Sequence, residues 1–185
     1  IAAHSDVVVA FGGLPLKNSA IAAGGVSRHV ERDAMRAARQ RGTRFVLVSP
    51  LRDDMPQEAA ADWLPVVPNT DTALMLGLAH TLVTKNLHDR AFLDRFCVGY
   101  DLFESYMLGR SDGQPKDAAW AAAICGSAAD DIVALARAMA GRRTLITVAH
   151  ALQRAEHGEQ PVWMAAVLAA MLGQIGLLCG GYGYA

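Results

Sequence analysis

The sequence has few cysteines, almost no net charge and no long hydrophobic run. Its three cysteines, Cys97, Cys125 and Cys179, form no C-x-x-C pair and have no histidine at zinc spacing, which argues against a zinc site and a disulfide framework. The formal net charge of −1 gives no electrostatic footprint for nucleic acid or an anionic membrane. The longest apolar stretch, Val162 to Leu172, is too short to cross a bilayer. We therefore expect a globular domain with no metal site, nucleic-acid partner or membrane segment.

Motifs of self-contained enzymes are also missing. Neither G-x-G-x-x-G nor G-x-x-x-x-G-K-[ST] occurs, so the two common nucleotide fingerprints are absent. No nucleophile elbow, Ser/His/Asp order or acidic pair stands out, which gives an independent hydrolase little support. The chain begins IAAHSDVVV and stops at GGYGYA, and we expect it to be a fragment of a longer polypeptide. A fragment need not contain the targeting signal of the whole protein, so both a cytoplasmic and a periplasmic location are compatible with the sequence.

What the sequence does contain is an alternation of short apolar runs and helical patterns. DVVVAF and RFVLVS are typical of strands buried on both faces, and a helical pattern from Arg28 to Gln40 lies between them, which predicts a parallel βαβ unit. DWLPVVP and TLITVA predict a third and a fourth strand, and a helix follows from about Pro161 to Leu172. GQIGLLCGGYGYA is predicted to be glycine-rich coil.

These elements predict the fold class and its division. We expect an α/β fold, with a Rossmann-like, mostly parallel sheet flanked by helices and a helical excursion between the third and fourth strands. A single domain spans residues 1–185, with a helical insertion at about 86–127. The amphipathic run TALMLGLAHTLVTKN is expected to form the helix that follows the third strand.

Glycine-rich or polar loops follow the predicted strands, and in an open parallel sheet such loops face a ligand crevice beyond the carboxyl ends of the strands. After the first strand, GGLPLKN offers Gly12 and Gly13 for close backbone approach, Lys17 for a phosphate and Asn18 for a polar edge. An ordinary loop with a solvated lysine explains this spacing equally well. If the strands are neighbours, four such loops line a single crevice.

Two of these loops have simple structural explanations. SPLRDD follows the second strand, where a ribose or base is often bound, although a solvated turn is the simpler interpretation. In PNTD, Asn69 or Thr70 is expected to cap a helix that carries Asp71 in its first turn. That cap explains the motif without any ligand.

The most polar junction is HALQRAEHGEQP, residues 150–161, between the fourth strand and the last helix. Arg154 presents paired donors that suit a phosphate or another anionic oxygen, and Gln153 and His157 add hydrogen-bonding edges. His150 and His157 have no carboxylate or cysteine at ligand spacing, so we predict no metal here. The alternative is a capped helix start with a salt bridge from Arg154 to Glu156 or Glu159.

The segment LQRAEHGEQPVWMAAVLAAMLGQIGLLCGGYGY resembles part of the molybdopterin oxidoreductases, in the branch of the dimethyl sulfoxide, trimethylamine N-oxide and biotin sulfoxide reductases. FGGLPLKNSAIAAGGVSRH, DTALMLGLAHTLV, LHDRAFLDRF, VGYD and DGQPKDAAWAAAICG resemble the same branch in the same order, so the resemblance covers essentially the whole chain. GGLPLKN and SPLRDD are most similar to the biotin sulfoxide reductase subgroup of this bacterial branch.

The resemblance implies a bis(molybdopterin guanine dinucleotide) molybdenum cofactor and reduction of a small S-oxide or N-oxide by oxygen-atom transfer. It implies that this domain holds the guanosine diphosphate tail of one dinucleotide, and Asp71 could accept from the guanine N–H and amino groups. The residues that would bind this tail are Gly12, Gly13, Lys17, Asn18, Ser49, Pro50, Leu51, Asn69, Thr70 and Asp71. His150, Ala151 and Arg154 match the stretch that reaches toward the pterin, and Arg154 and His150 are candidate substrate-funnel residues.

The chain also departs from the pattern of this branch. His150 stands where relatives commonly have Trp, and Ser49 stands where many have Asp, which puts pocket shape and ribose contacts in doubt. The serine that ligates molybdenum in this branch lies upstream of the matching region, so no residue here is expected to bond the metal or to be catalytic. Other domains of the polypeptide and an electron donor are the implied partners, and the domain alone should be inactive. The alternative function is a nucleotide-fold structural or interaction module that no longer binds cofactor.

Overall fold

The computed structural model describes residues 4–19 and 29–184. Its strands form one five-stranded sheet of order β3-β2-β1-β4-β5 in which every neighbouring pair is parallel. The strands are Val7–Phe11 (β1), Arg44–Val48 (β2), Asp62–Leu64 (β3), Thr144–Val148 (β4) and Gly181–Tyr184 (β5). The predicted α/β fold with a parallel, Rossmann-like sheet is therefore confirmed.

Helices and short 3-10 turns connect these strands. The α-helices are Leu16–Ser19 (α1), Glu31–Gln40 (α2), Asp71–Thr84 (α3), Arg90–Phe96 (α4), Tyr100–Met107 (α5), Ala118–Cys125 (α6), Ala129–Met139 (α7) and Glu159–Met171 (α8). The 3-10 turns are Arg52–Asp54, Gln57–Ala59 and His150–Arg154. Because α3 to α7 all lie between β3 and β4, the predicted helical excursion is confirmed, and α4, α5 and α6 fall within the predicted insertion range.

The sheet separates two hydrophobic cores of unequal size. β1 is fully buried, and its alternating side chains divide between the cores, with Val9 and Phe11 in the larger one and Val8 and Ala10 in the smaller one. Side chains from α3, α6, α7 and α8 fill the larger core, whereas α2 and the turn Gln57–Ala59 contribute to the smaller one. This arrangement explains why the strand sequences are continuous apolar runs and do not alternate with polar residues.

Several local predictions were wrong at the level of single elements. The C-terminal segment predicted as coil contains β5, whose backbone pairs with β4 from Leu145 to Val148. The loop after β1 contains the short helix α1. The last helix, predicted from about Pro161 to Leu172, is present and spans Glu159–Met171. The helix predicted from Arg28 begins at Glu31, and residue 28 lies outside the described part of the chain.

The predicted amphipathic character of α3 was also wrong. Ten of its fourteen residues are buried, because the helix packs against α6, α7 and α8 at once. Gly77 allows the contact with α6, since a Cβ there would lie 2.7 Å from the Cβ of Ala121. A helix enclosed on several sides needs apolar residues around most of its circumference.

A buried lysine fixes the loop between α5 and α6. Lys116 is 3% exposed, and its ammonium pairs with Asp112 and lies 4.3 Å from the centre of the Tyr106 ring and 5.8 Å from that of Trp120. It also donates to the carbonyl oxygen of Gln114. The lysine therefore closes the loop from inside and does not offer a charge to a ligand.

Among the described residues, we find no single helix that has both the length and the apolar composition needed to span a membrane. α6 and α7 satisfy that test only when taken together, and a bend of 118° separates them.

Candidate functional site

The carboxyl ends of three strands are joined by backbone hydrogen bonds. The Gly12 N–H donates to the carbonyl of Val48 at the end of β2 (2.8 Å), and the Ala149 N–H donates to the carbonyl of Phe11 at the end of β1 (2.9 Å). The strand order reverses between β1 and β4, so the loops that leave these strands diverge at this point. Open parallel sheets bind their ligands at such a reversal.

The loops after β1 and β2 contact each other closely. The Leu14 N–H donates to the Asp54 carbonyl (2.8 Å), and a Cβ at Gly13 would lie 2.5 Å from that oxygen, so only glycine fits. The Ser49 hydroxyl is buried and donates to the Asp54 carboxylate. The Ser49 hydroxyl thus already has a partner in this chain, and Gly13 lies against the Asp54 backbone; the contacts predicted for both with a nucleotide stay predictions.

A cavity of about 420 Å³ lies beside these two loops. Its lining residues are Pro15, Leu16, Lys17, Arg32, Asp53, Asp54, Pro56, Gln57 and Glu58. Arg32 forms an ion pair with Glu58. The pKa of the Glu58 carboxyl is lowered, mainly by a hydrogen bond to its own backbone and in addition by the Arg32 guanidinium. Lys17 is exposed, whereas the side chain of Asn18 lies outside the described part of the structure, so its predicted role stays a prediction.

A second cavity, of about 350 Å³, lies between the N-termini of α3 and α8. We call it the α3–α8 cavity, and its lining residues are Asn69, Asp71, Thr72, Leu152, Ala155, Glu156, His157, Gly158, Gln160 and Pro161. None of these residues is a lysine or arginine. The four predicted loops are therefore divided between two cavities, and the prediction of one shared crevice is not reproduced by the described residues.

Asp71 is the most unusual residue of the α3–α8 cavity. It is the first residue of α3, it is 3% exposed, and its Oδ1 has no hydrogen-bond partner within the described chain. Burial raises the pKa of Asp71 to about 6, and a backbone hydrogen bond only partly opposes this. A buried carboxylate oxygen without a donor is costly, so it indicates a site for a ligand that supplies N–H groups.

The helix cap predicted next to Asp71 does not form through a side chain. Thr70 occupies the N-cap position of α3, but its hydroxyl donates to the carbonyl of Val67. Asn69 adopts a left-handed backbone conformation, with φ of 67°, directly before the cap. The PNTD motif therefore turns the chain so that Asp71 enters the cavity wall.

The opposite wall is a tight turn that leads into α8. His157 has a left-handed φ of 57°, and at the next position a Cβ on Gly158 would lie 2.3 Å from the carbonyl oxygen of Gln153. The imidazole nitrogens of His157 lie 4.0 Å from a carboxylate oxygen of Glu156 and 3.8 Å from one of Glu159. Left-handed residues, Asn69 and His157, therefore shape both walls of this cavity.

The salt bridge predicted as an alternative, from Arg154 to Glu156 or Glu159, is not formed. Both glutamates lie next to His157 instead. His150, Ala151 and Arg154 are exposed in the 3-10 turn that follows β4, and none of the three lines the α3–α8 cavity. Leu152 is the residue of this turn that does. The predicted roles of these three residues toward the pterin and the substrate stay predictions.

Among the lining residues of the α3–α8 cavity, the sequence predicted a ligand contact only for Asn69, Asp71 and His157. It missed the others: Thr72, Leu152, Ala155, Glu156, Gly158, Gln160 and Pro161. Six of them lie in the polar junction, residues 150–161, in which the charge of Arg154 made it the predicted anion-binding residue. The packing of α3 against α8 was the missing information, since it brings Asp71 opposite the first turn of α8. Among the described residues, no group of three or more His, Cys, Asp or Glu could hold a metal ion.

Comparison with known proteins gives one matching family and several similar enzymes. The molybdopterin oxidoreductase family matches residues 1–184. A biotin sulfoxide reductase from Cereibacter sphaeroides is 48% identical over 184 residues, which is all of this chain and 25% of that protein. A dimethyl sulfoxide/trimethylamine N-oxide reductase from the same organism is 42% identical over 97% of this chain and 22% of its own length. A trimethylamine-N-oxide reductase from Salmonella typhi is 58% identical over 65% of this chain and 14% of its own length.

The fold also occurs in a solved structure. Acetylene hydratase from Pelobacter acetylenicus superimposes with a TM-score of 0.74 at 24% identity, over 95% of this chain and 22% of that protein. The chain spans about a quarter or less of the length of each of these relatives.

Proposed function

The chain belongs to the molybdopterin oxidoreductase family, which implies a molybdenum–pterin cofactor, and from this premise we propose that it holds the guanosine diphosphate tail of a bis(molybdopterin guanine dinucleotide) in an S-oxide or N-oxide reductase. The names of the relatives, which are reductases of biotin sulfoxide, dimethyl sulfoxide and trimethylamine N-oxide, support this substrate class.

One observation carries the proposal: the buried, unpartnered Oδ1 of Asp71 in the wall of the α3–α8 cavity. Guanine presents an N1–H and a 2-amino group side by side, and a carboxylate accepts from both. Adenine offers no such pair of donors on that edge. The residues present therefore fit a guanine base better than an adenine base, and an acidic cavity wall without lysine or arginine suits a neutral base better than a phosphate.

The rest of the tail would contact the loops at the ends of β1 and β2. Lys17 is exposed beside the other cavity and would pair with a phosphate, and the Gly12 and Gly13 backbone would line the same stretch. Ser49, Pro50 and Leu51 would lie next to the ribose, as the resemblance implies. When bound, the molybdenum centre supplies the oxygen-atom transfer chemistry, and this chain's residues bind and orient its nucleotide end.

Partners follow from the same proposal. The remaining domains of the polypeptide would complete the pterin site, the substrate funnel would include Arg154 and His150, and an electron donor would reduce the centre. The 185-residue chain alone should show no reductase turnover.

The proposal is tested by thermal unfolding of the 185-residue chain with guanosine diphosphate (GDP), and with adenosine diphosphate (ADP) and NAD as controls. A ligand at a hundred times its Kd stabilises a fold by about 2.7 kcal/mol, so we expect a clear rise in Tm with GDP alone. The rise should be lost in Asp71→Ala and kept in Asp131→Ala, which removes an exposed carboxylate from the first turn of α7.

Equal Tm values with and without GDP would favour the alternative function, a nucleotide-fold module that no longer binds cofactor. The same titration on a longer chain that contains the neighbouring domains decides whether those domains are needed to close the cavity. A Tm rise that survives in Asp71→Ala would show that the base binds elsewhere.

A further inference from the structure

We propose that Gln160 is a second specificity-determining residue of the α3–α8 cavity, donating a hydrogen bond to the carbonyl oxygen at position 6 of the base whose N–H groups Asp71 accepts. This inference rests on the proposed function, because it concerns the same base.

The chemistry of the base requires a donor in addition to Asp71. On guanine, the O6 acceptor lies directly beside the N1–H and 2-amino donors, so a cavity that buries this edge must supply both an acceptor and a donor. A buried carbonyl left without a donor loses the hydrogen bond it made with water. The lining of the α3–α8 cavity contains no lysine or arginine, so its side-chain donors are Asn69, Thr72, His157 and Gln160.

Gln160 is the lining residue best suited to this role. It lies in the first turn of α8, on the wall opposite α3, and its two methylene groups carry the amide further from the backbone than the single methylene group of Asn69 does. Its amide nitrogen contacts Glu159 only at 3.4 Å, at the exposed surface, which is a weak bond that a ligand can replace. The positive end of the α8 dipole also favours an oxygen acceptor at this position.

The other polar lining residues are less suitable donors. Thr72 follows Asp71 on the same helix and therefore stands on the acceptor's side of the cavity. His157 lies beside two carboxylates, which compete for its N–H groups. Asn69 is confined by its left-handed backbone and a shorter stem.

The backbone around Gln160 holds it in place. Its N–H donates to the carbonyl of His157 (2.9 Å), and the following residue, Pro161, is buried and fixes the first turn of the helix. The close contact of Gly158 with the Gln153 carbonyl sets the position of the whole turn. The amide therefore starts from a fixed main chain, and only its side-chain torsions need to be ordered on binding.

The test measures Kd by isothermal titration calorimetry at pH 7 for GDP, inosine diphosphate (IDP) and 6-thioguanosine diphosphate. IDP lacks the 2-amino group that Asp71 would accept from, and the 6-thio analogue replaces O6 by sulfur, a weak acceptor, while both donors are kept. We expect Gln160→Ala to weaken GDP about tenfold, to weaken IDP by the same factor and to leave the 6-thio analogue unchanged.

Two further variants sharpen the test. Gln160→Glu replaces the donor by an acceptor, so it should weaken GDP binding more than Gln160→Ala does. Gln153 is an exposed glutamine outside the cavity, and Gln153→Ala should bind GDP as the natural chain does. The role of Gln160 would be overturned if Gln160→Ala weakened the binding of GDP and of the 6-thio analogue equally, or weakened neither. Asp71→Asn should abolish binding in either case, which separates this outcome from failure of the proposed function. If no nucleotide binds either the natural chain or the longer chain that contains the neighbouring domains, the proposed function fails and this inference fails with it.

Discussion

Asp71 sits in an environment that lowers the stability of the fold. Its pKa of about 6 lies above the ordinary value of 3.8, so between these values the folded state holds a proton that the unfolded state has lost. The free energy of unfolding therefore falls as the pH rises through 6, and the ionised carboxylate remains a cost at pH 7. A loss of stability of this kind is expected for a residue that is retained because it binds a ligand.

We predict that Asp71→Asn raises the free energy of unfolding by roughly 2 kcal/mol at pH 7 and changes it little at pH 4, because the neutral amide removes the cost of burying a charge. Chemical denaturation at the two pH values measures this difference. Asp131→Asn, at an exposed site, serves as the matched control. A less stable Asp71→Asn variant at pH 7 would mean that the carboxylate has a partner in the folded chain.

Lys116 illustrates the opposite situation, a buried charge that is fully paired. We predict that Lys116→Ala lowers the free energy of unfolding by about 3 kcal/mol, because it removes the ion pair with Asp112 and leaves a void beside Tyr106 and Trp120. Lys116→Met should cost less, since it keeps the volume and Asp112 can be solvated. Urea titration measures both changes, with the exposed Lys85→Ala as control. Equal losses for Ala and Met would assign the effect to charge alone.

At the scale of an element, the start of α8 determines the shape of the α3–α8 cavity. We predict that Gly158→Ala lowers the free energy of unfolding by about 2 kcal/mol, because the new Cβ would overlap the Gln153 carbonyl and force the turn outward. The displaced wall should also weaken GDP binding, which calorimetry measures directly.

Gly183→Ala provides the control for this prediction, since a Cβ at Gly183 meets nothing within 4 Å. It should leave both stability and GDP affinity unchanged. If the two alanine variants behave alike, the turn before α8 is more adaptable than its contacts indicate.

The sequence predicted the elements whose residues follow a strong pattern. β1, β2 and β4 are short apolar runs rich in β-branched residues, and each was found within a residue or so of its observed bounds. β5 was missed because Gly181 and Gly183 have low strand propensity, and it is the edge of β4 opposite β1 that holds them in the sheet. Pairing between distant segments is a tertiary effect that no local pattern contains.

The candidate site could be predicted only in part for the same reason. Asp71 was found through its motif and the resemblance, but its burial without a partner depends on how α3 packs against α8. Gln160 carries no signal of its own, being one of several polar residues at a helix start. Residues that meet across two helices become visible only when the helices are in place.

For the whole molecule, the central position of β1 predicts a gradient of local stability. β1 is hydrogen-bonded on both sides and fully buried, whereas β3 has three residues and β5 four, each paired on one side. We predict that native-state hydrogen exchange is slowest at Val8 and Val9 and at least ten times faster along β3 and β5. Equal protection across the sheet would mean that it opens only by global unfolding.

The pairing of β1 has a consequence for how the protein is made. Val7 pairs with Arg44 on one side and with Thr144 on the other, so the central strand waits for a partner that leaves the ribosome much later. Until then one edge of β1 stays open, and the helices α3 to α7 have only β1, β2 and β3 to pack against. Pairing between segments that lie far apart in the sequence raises the contact order, which slows folding and prolongs exposure to aggregation during synthesis. Its yield in a cell should therefore depend on chaperones and growth temperature more strongly than the stability of its folded state would suggest.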